Sequence, residues 1–143
     1  MSTKIFKKEF TINGSFIGNL KLKINKKDMD ISIALYELMP NGKYFFLTRY
    51  VGRASYAKNN EKRQLLKPNK FQTITFENTR LVSKKISKGS KLVILLNTNK
   101  HPFEIINYGS GKNVVDETIK DAGEPMQIKW YNDSFISIPV WKE

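Results

Sequence analysis

Residues 30–51 read DISIALYELMPNGKYFFLTRYV, and this stretch decides the fold class of the chain. Ile31, Ile33 and Leu35 alternate with polar or smaller residues, which is the period of a β-strand with one buried face. The Pro-Asn-Gly sequence at residues 40–42 is typical of a tight turn, because proline presets φ and Asn-Gly accepts a positive φ. Tyr and Phe, which favour strands, are frequent after the turn. The stretch therefore predicts a β-hairpin with strands at residues 30–38 and 43–51.

The same period of two continues on both sides of the hairpin. Further strands are expected at residues 5–12, 16–25, 71–77, 81–86, 92–97, 128–131 and 135–140. Asn13-Gly14 predicts a turn between the first two, and the unbroken apolar run from Leu92 to Leu96 predicts a strand buried on both faces. Two long connections, 52–70 and roughly 100–125, are expected to be irregular, with short helical turns near 60–66 and 115–122.

About eight or nine short strands separated by turn signals predict an all-β domain, a jelly-roll β-sandwich that takes up residues 1–143. A chain of 143 residues that is 40% hydrophobic is large enough to bury one core. No apolar run approaches the roughly 20 residues of a membrane span, so no membrane partner is expected. The absence of cysteine excludes disulfides and thiolate chemistry but assigns no compartment.

The net charge of +12 invites comparison with nucleic-acid-binding domains. Of the 25 basic residues, only Arg49, Arg53, Arg63 and Arg80 are arginines, the residue type that base readout and bidentate phosphate contacts favour. The lysines are spread along the chain and often alternate with apolar residues, as on the solvent face of a sheet. We therefore expect a solvated surface that binds no specific nucleic acid. A basic surface that faces a partner domain stays open as a third interpretation.

The sequence contains no catalytic constellation that we recognise. A serine hydrolase needs Gly-x-Ser-x-Gly at its nucleophile elbow, and residues 14–18 and 109–111 have the wrong spacing and read as turns. His101 is the only histidine and reads as an ordinary loop residue. Asp28 and Asp30 could contribute to a Ca²⁺ site, but two carboxylates on a turn are more typical of capping. We expect no catalytic residue, no metal site and no cofactor.

The order of several short motifs resembles one known family. They are Asp28-Met29-Asp30 ahead of an alternating strand, the Pro40–Gly42 turn, the turn and apolar strand of residues 87–97, His101-Pro102-Phe103, and the Ser-x-Ile-x-x-Pro pattern of residues 134–139. In this order they resemble the C-terminal non-catalytic domain of the X-Pro dipeptidyl-peptidase and CocE/NonD hydrolase family, which includes cocaine esterase and glutaryl acylase.

That resemblance implies a galactose-binding-like jelly roll that packs on a serine hydrolase domain of the same polypeptide and stabilises it. The chain has no room for that α/β-hydrolase domain, so it is expected to be a fragment of a larger parent protein. A homo-oligomer of that parent protein stays open. The alternative is a carbohydrate-binding module, for which the candidate aromatic side chains are Tyr44, Tyr50, Tyr56, Tyr108, Trp130, Tyr131 and Trp141.

A docking face for the hydrolase domain is also expected. The consecutive Tyr44, Phe45 and Phe46 cannot all point to one side of a strand, so the chain carries more large apolar side chains than one sandwich core uses. We expect an exposed aromatic patch whose rim is formed by the loop of residues 100–111 and by docking residues, namely Arg49, Arg53, Tyr56 and Tyr108.

Overall fold

The computed structural model describes residues 1–77, 79–98, 101 and 103–141. Ten strands lie in this part of the chain. They are β1 Phe10–Gly14, β2 Ile17–Ile24, β3 Asp30–Leu38, β4 Tyr44–Arg53, β5 Phe71–Phe76, β6 Val82–Ile86, β7 Lys91–Thr98, β8 Ile128–Trp130, β9 Phe135–Ser137 and β10 Val140–Trp141.

Sheet 1 has the strand order β4-β3-β7, and all of its pairs are antiparallel. The hairpin predicted from residues 30–51 is therefore confirmed. Its turn is closed by the Met39 N–H, which donates to the Lys43 carbonyl at 2.9 Å, and Gly42 takes a positive φ of 79°. A bulge between Leu35 and Tyr36 shifts the register, so Leu35 faces Thr48 whereas Tyr36 faces Phe46.

Two further antiparallel sheets cover the inner face of sheet 1. Sheet 2 has the order β5-β2-β8, with β9 also on β2, and sheet 3 has the order β10-β1-β6. Two clusters of buried side chains show how the layers meet: Ile31 and Ile33 pack with residues of sheet 2, whereas Leu35 packs with residues of sheet 3. The predicted all-β jelly-roll sandwich is confirmed as a fold class, while the galactose-binding-like subclass stays a prediction.

The prediction for the start of the chain was wrong. Residues 5–9 form no strand, and β1 begins at Phe10. The Asn13-Gly14 pair is not a turn but the end of β1, where it pairs with β6. Gly14 has a φ of 137°, and a Cβ there would lie 2.9 Å from the ring of Pro139, so the glycine allows a close backbone approach that the turn rule does not anticipate.

The two helical turns were also misplaced. Short 3-10 helices lie at Ala54–Tyr56, Val114–Asp116 and Ile119–Asp121, whereas residues 60–66 have none. The predicted segment 115–122 is thus two separate turns, the second closed by a capping box between Thr118 and Asp121. None of the helices in the described residues has the length and apolar character that crossing a membrane requires.

Candidate domain-docking face

The outer face of sheet 1 carries apolar side chains on all three of its strands, and the polar residues among them include Ser32, Arg49, Lys91 and Asn97. Directly paired residues share a face of a sheet, so the register places the side chains that alternate with the core on this side. We call this surface the apolar face and define it by Ala34, Tyr36, Leu38, Tyr44, Phe46, Arg49, Val51, Val93 and Leu95.

Aromatic rings form one end of the apolar face. The Tyr36 ring contacts those of Phe46 and Tyr44 edge-on, with centroids 5.5 and 6.2 Å apart. Phe46 keeps 51% of its surface exposed and Tyr44 keeps 61%. Phe45 points to the opposite side and lies under the Lys84 ammonium, 4.8 Å from its ring centroid. The three consecutive aromatic residues are therefore all exposed, and two of them belong to the apolar face.

The strand β7 corrects a prediction made from its apolar run. Leu92 is buried against the core, but Leu95 on the outer side is 54% exposed. The strand is therefore not buried on both faces in this chain. An apolar run on a strand is the signal for two covered faces, and here the outer side of the strand is exposed.

The outer face of sheet 2 has the opposite character. Lys23 pairs with Phe71 on one side and Lys129 on the other, and Lys21 pairs with Thr73. Lysines and threonines thus occupy its centre, as expected of a surface that remains in water. The contrast makes the outer face of sheet 1 the candidate docking face.

Arg49 lies on the apolar face and is held in place there. Its Nε donates a hydrogen bond to the Ser32 Oγ at 2.9 Å, and its Nη1 lies 3.9 Å from a carboxylate oxygen of Glu104. Glu104 sits between Phe103 and Ile105, both of which are exposed. The ion pair therefore brings the start of the long loop, with two more apolar side chains, beside the apolar face.

Arg53 and Tyr56, the second and third predicted docking residues, line a polar pocket of about 440 Å³ at the end of β4. Val51 lines it too, so the pocket adjoins the apolar face. Arg53 forms a forked ion pair with Asp30, its Nε at 2.8 Å and its Nη2 at 3.2 Å. The hydrogen bond to Asp30 raises the pKa of Arg53, and it fixes the guanidinium at the pocket wall.

Asp28 and Asp30 are neither a metal site nor simple turn caps, because basic and hydroxyl groups from other segments occupy them. Asp28 is fully buried and accepts from Ser55 Oγ at 2.7 Å and from Arg63 Nη2 at 3.1 Å. The Asn107 amide donates to Asp30 at 3.0 Å. The two carboxylates thus tie both long connections to the start of β3. Across the described residues, no group of three or more His, Cys, Asp or Glu could hold a metal ion.

Tyr108, the fourth predicted docking residue, lies in a turn organised by Glu117. The Glu117 carboxylate accepts from the N–H groups of Tyr108 and Ser110 at 2.7 and 2.9 Å, and from the Ser110 hydroxyl at 2.5 Å. Ser110 is therefore a turn residue, and the exposed His101 caps its own loop by accepting from the Phe103 N–H at 3.3 Å. Lys100 of the predicted rim loop and Pro102 of the His101-Pro102-Phe103 motif lie outside the described residues.

The sequence prediction missed most of the apolar face, including Tyr36, Val93 and Leu95. A signal was available, since β3 and β7 carry apolar residues at positions of both parities. For β7 this signal predicts a strand buried on both faces, whereas β3 is predicted to have one buried face, so neither prediction includes an exposed apolar face.

A comparison with known protein families matches residues 1–129 of the chain. The match is to the X-Pro dipeptidyl-peptidase C-terminal non-catalytic domain. No curated protein sequence matches the chain.

Solved structures share the fold across 99% of the chain. They include an α-amino acid ester hydrolase (16% identity, TM-score 0.88) and an aminopeptidase from a marine sediment archaeon, Thaumarchaeota archaeon (14%, 0.88). A CocE/NonD family hydrolase from Staphylococcus aureus is similar at 16% identity with a TM-score of 0.65. The chain spans 25% of the length of the first two and 30% of the third.

Proposed function

The chain belongs to the family of X-Pro dipeptidyl-peptidase C-terminal non-catalytic domains, and from this premise we propose that it is the accessory domain of a serine hydrolase. In this proposal it packs through the apolar face on an α/β-hydrolase domain of the same polypeptide and stabilises that domain. The parent acts on esters, amides or X-Pro peptides, and this chain supplies none of the reacting groups.

The single observation that carries the proposal is the apolar face itself. Monomeric proteins rarely expose a large contiguous apolar surface, and such a surface usually marks an interaction site. Here it extends over three strands and joins the exposed Phe103 and Ile105 through the Arg49–Glu104 pair. The similar solved chains are three to four times longer than this one, which leaves room in each for a second domain.

In this proposal the predicted docking residues occupy three positions. Arg49 stands within the interface, and Arg53 and Tyr56 stand at its border, in the pocket that shares Val51 with the apolar face. Interfaces between domains of one chain are more polar than obligate ones, so arginines held in place by Ser32, Glu104 and Asp30 suit such a border. Tyr108 is assigned to the loop that flanks it.

A matched pair of substitutions tests the proposal. Phe46→Lys changes the apolar face, and Phe71→Lys makes the same change on the outer face of sheet 2, where Phe71 is equally exposed and also contacts a tyrosine ring. In this isolated chain, each change should alter the free energy of unfolding by only about 0.5 kcal/mol, as exposed positions do. In the parent protein, Phe46→Lys should cost at least roughly 2 kcal/mol, because a covered Phe contributes about 1.5–3 kcal/mol.

The measurement is thermal and urea unfolding of the isolated chain and of the parent, each with both variants. If Phe46→Lys and Phe71→Lys affect the parent equally little, the apolar face is not covered by the hydrolase domain and the proposal is wrong.

The alternative of a carbohydrate-binding module makes a different prediction for the same residues. The rings of Tyr36, Tyr44 and Phe46 would then be a stacking platform, and Phe46→Lys would abolish retention of the isolated chain on a polysaccharide column. The other candidate rings are dispersed: Trp130 lies on the inner face of sheet 2, while Tyr131 packs against Phe71. This dispersal favours the accessory domain.

A further inference from the structure

The first residues of the chain pair with the edge of β7 through an antiparallel β-bridge. The Ile94 N–H donates to the Met1 carbonyl at 2.8 Å, and the Met1 amino group donates to the Ile94 carbonyl at 2.9 Å. Ser2 pairs with Val93, and the Thr3 N–H donates to the Leu92 carbonyl at 2.9 Å. This is an antiparallel ladder in which Met1 and Ile94 exchange both hydrogen bonds.

The edge of β7 continues beyond this ladder. In an antiparallel ladder every second residue points its N–H and C=O groups toward the same neighbour. Because Leu92 and Ile94 point theirs toward the first residues, Leu96 and Thr98 offer theirs on the same side. Within the described part of the chain, no strand pairs with β7 there. Such an edge is a template for another strand.

An apolar groove of about 840 Å³ lies beside this open edge. It forms where β7 of sheet 1 separates from β8 and β9 of sheet 2. Its apolar wall comprises Met1, Leu20, Ile94, Leu95, Leu96, Trp130, Phe135 and Ile136. Edge and groove together match the requirements for recognising an extended segment, since the backbone groups supply pairing and the groove receives alternate side chains.

We propose that the polypeptide joining the hydrolase domain to this domain runs as a β-strand along β7 and fills this groove. The inference rests on the proposed function, which places the hydrolase domain upstream in the parent. The antiparallel direction of residues 1–3 leads the preceding chain directly past Leu96. No loop is needed, because the connecting strand continues a ladder that has already formed.

The register of the ladder fixes which residues meet. The residue directly before Met1 faces Leu95, the second faces Leu96 and the third faces Asn97. Leu96 pairs with Ile33 and so lies on the inner side of sheet 1. The side chain of the second residue before Met1 therefore enters the groove near Trp130 and Ile136 and is apolar, whereas its neighbours lie on the outer side.

Disulfide pairing in the full-length parent tests the register. This chain has no cysteine, so each pair is introduced, and mass spectrometry of peptides identifies the linkage. A cysteine directly before Met1 should form a disulfide with Leu95→Cys. The same cysteine should not reach Asn97→Cys, because that diagonal combines about 6.8 Å along the strand with about 4.5 Å between the strands. The resulting Cα separation of roughly 8 Å exceeds the limit of about 7 Å that a disulfide tolerates. A cysteine at the third position before Met1 should link to Asn97→Cys.

Linkage at Leu95 and not at Asn97 from the first position, with the reverse from the third, supports the inference. Absence of both linkages, or equal yields from either position, overturns it. Unfolding of the Phe46→Lys parent separates the two proposals: if that variant is destabilised while no linkage forms, the strand is wrong and the docking face stands. If that variant behaves as the Phe71→Lys control does, the proposed function itself fails.

Discussion

At the residue scale, buried carboxylates hold the connections of this sandwich in place. Asp28 and Glu37 are both fully buried, and each accepts hydrogen bonds from serines while facing one cation. A buried charge is tolerated only when it is paired and hydrogen-bonded. Sequence could not reveal these roles, because Arg63 lies 35 positions from Asp28 and Ser90 lies 53 positions from Glu37.

Removing the Asp28 carboxylate should destabilise the fold markedly. Asp28→Ala leaves the Ser55 hydroxyl and Arg63 without their acceptor, and breaking a buried pair typically costs about 3–5 kcal/mol. Because Arg63 is partly exposed, we expect roughly 3 kcal/mol, measured by urea unfolding. Asp133→Ala, which removes an exposed ion pair with Lys21, is the matched control and should cost at most about 1 kcal/mol. Equal effects would show that the Asp28 network contributes no more than a surface pair.

Glu37 should make stability depend on pH in the acid range. Burial raises the pKa of Glu37, but hydrogen bonds from the Ser90 hydroxyl, the Ser87 N–H and Lys84 outweigh burial, so the pKa lies below its usual value. A carboxyl group whose pKa is lowered in the folded state contributes its full stabilisation above its unfolded pKa, which is about 4.3 for Glu. It loses that contribution as the pH falls through its pKa in the folded state.

The difference in unfolding free energy between the native chain and Glu37→Gln should therefore be constant near neutral pH and shrink at acid pH. Glu124→Gln, at an exposed loop position, is the control and should have nearly the same unfolding free energy as the native chain at any pH. A Glu37→Gln difference that does not change with pH would contradict the assignment.

At the scale of elements, sequence predicted what local periodicity controls. The β3–β4 hairpin follows from Ile31, Ile33, Leu35 and the Pro40–Gly42 turn, and the structure has it in place. Predictions from local sequence failed where a contact with a residue distant in the sequence determines the structure. Residues 5–9 are expected to form a strand but lie outside every strand of the described residues, while Gly14 ends β1 at a close approach to the Pro139 ring. In the proposed function the apolar face was missed for the same reason, since its proposed partner is a separate domain.

The long loop depends on a close backbone contact at Gly109. Gly109 has a φ of 76°, and a Cβ there would lie 2.6 Å from the Asp28 carbonyl oxygen and 2.8 Å from the Lys26 Cβ. Gly123 also has a positive φ, of 52°, but has open space around it. Gly123→Ala should thus cost only the left-handed strain of about 1–2 kcal/mol.

Gly109→Ala should cost distinctly more than Gly123→Ala, because the loop must also move away from Asp28. Thermal unfolding of both variants makes the comparison. If Gly109→Ala is no worse than the control, the loop is not held against β3 as tightly as the structure indicates.

At the scale of the whole molecule, the surface divides into two kinds. The outer face of sheet 2 carries lysines in its centre, which is where part of the +12 charge resides. The outer face of sheet 1 is mainly apolar, with Lys91 beside Leu38 at one end and Arg49 engaged with Ser32 and Glu104. We expect the high net charge to keep the isolated chain in solution despite this exposed surface. In the proposed function, the parent protein covers that face.

Hydroxyl-radical footprinting of the isolated chain and of the parent measures this coverage directly. Tyr44 and Phe46 report the apolar face, and Phe71, which is 55% exposed, reports the outer face of sheet 2. We predict that oxidation of Tyr44 and Phe46 falls several-fold in the parent while that of Phe71 is unchanged. Equal oxidation of Tyr44 and Phe46 in the two proteins would contradict the account.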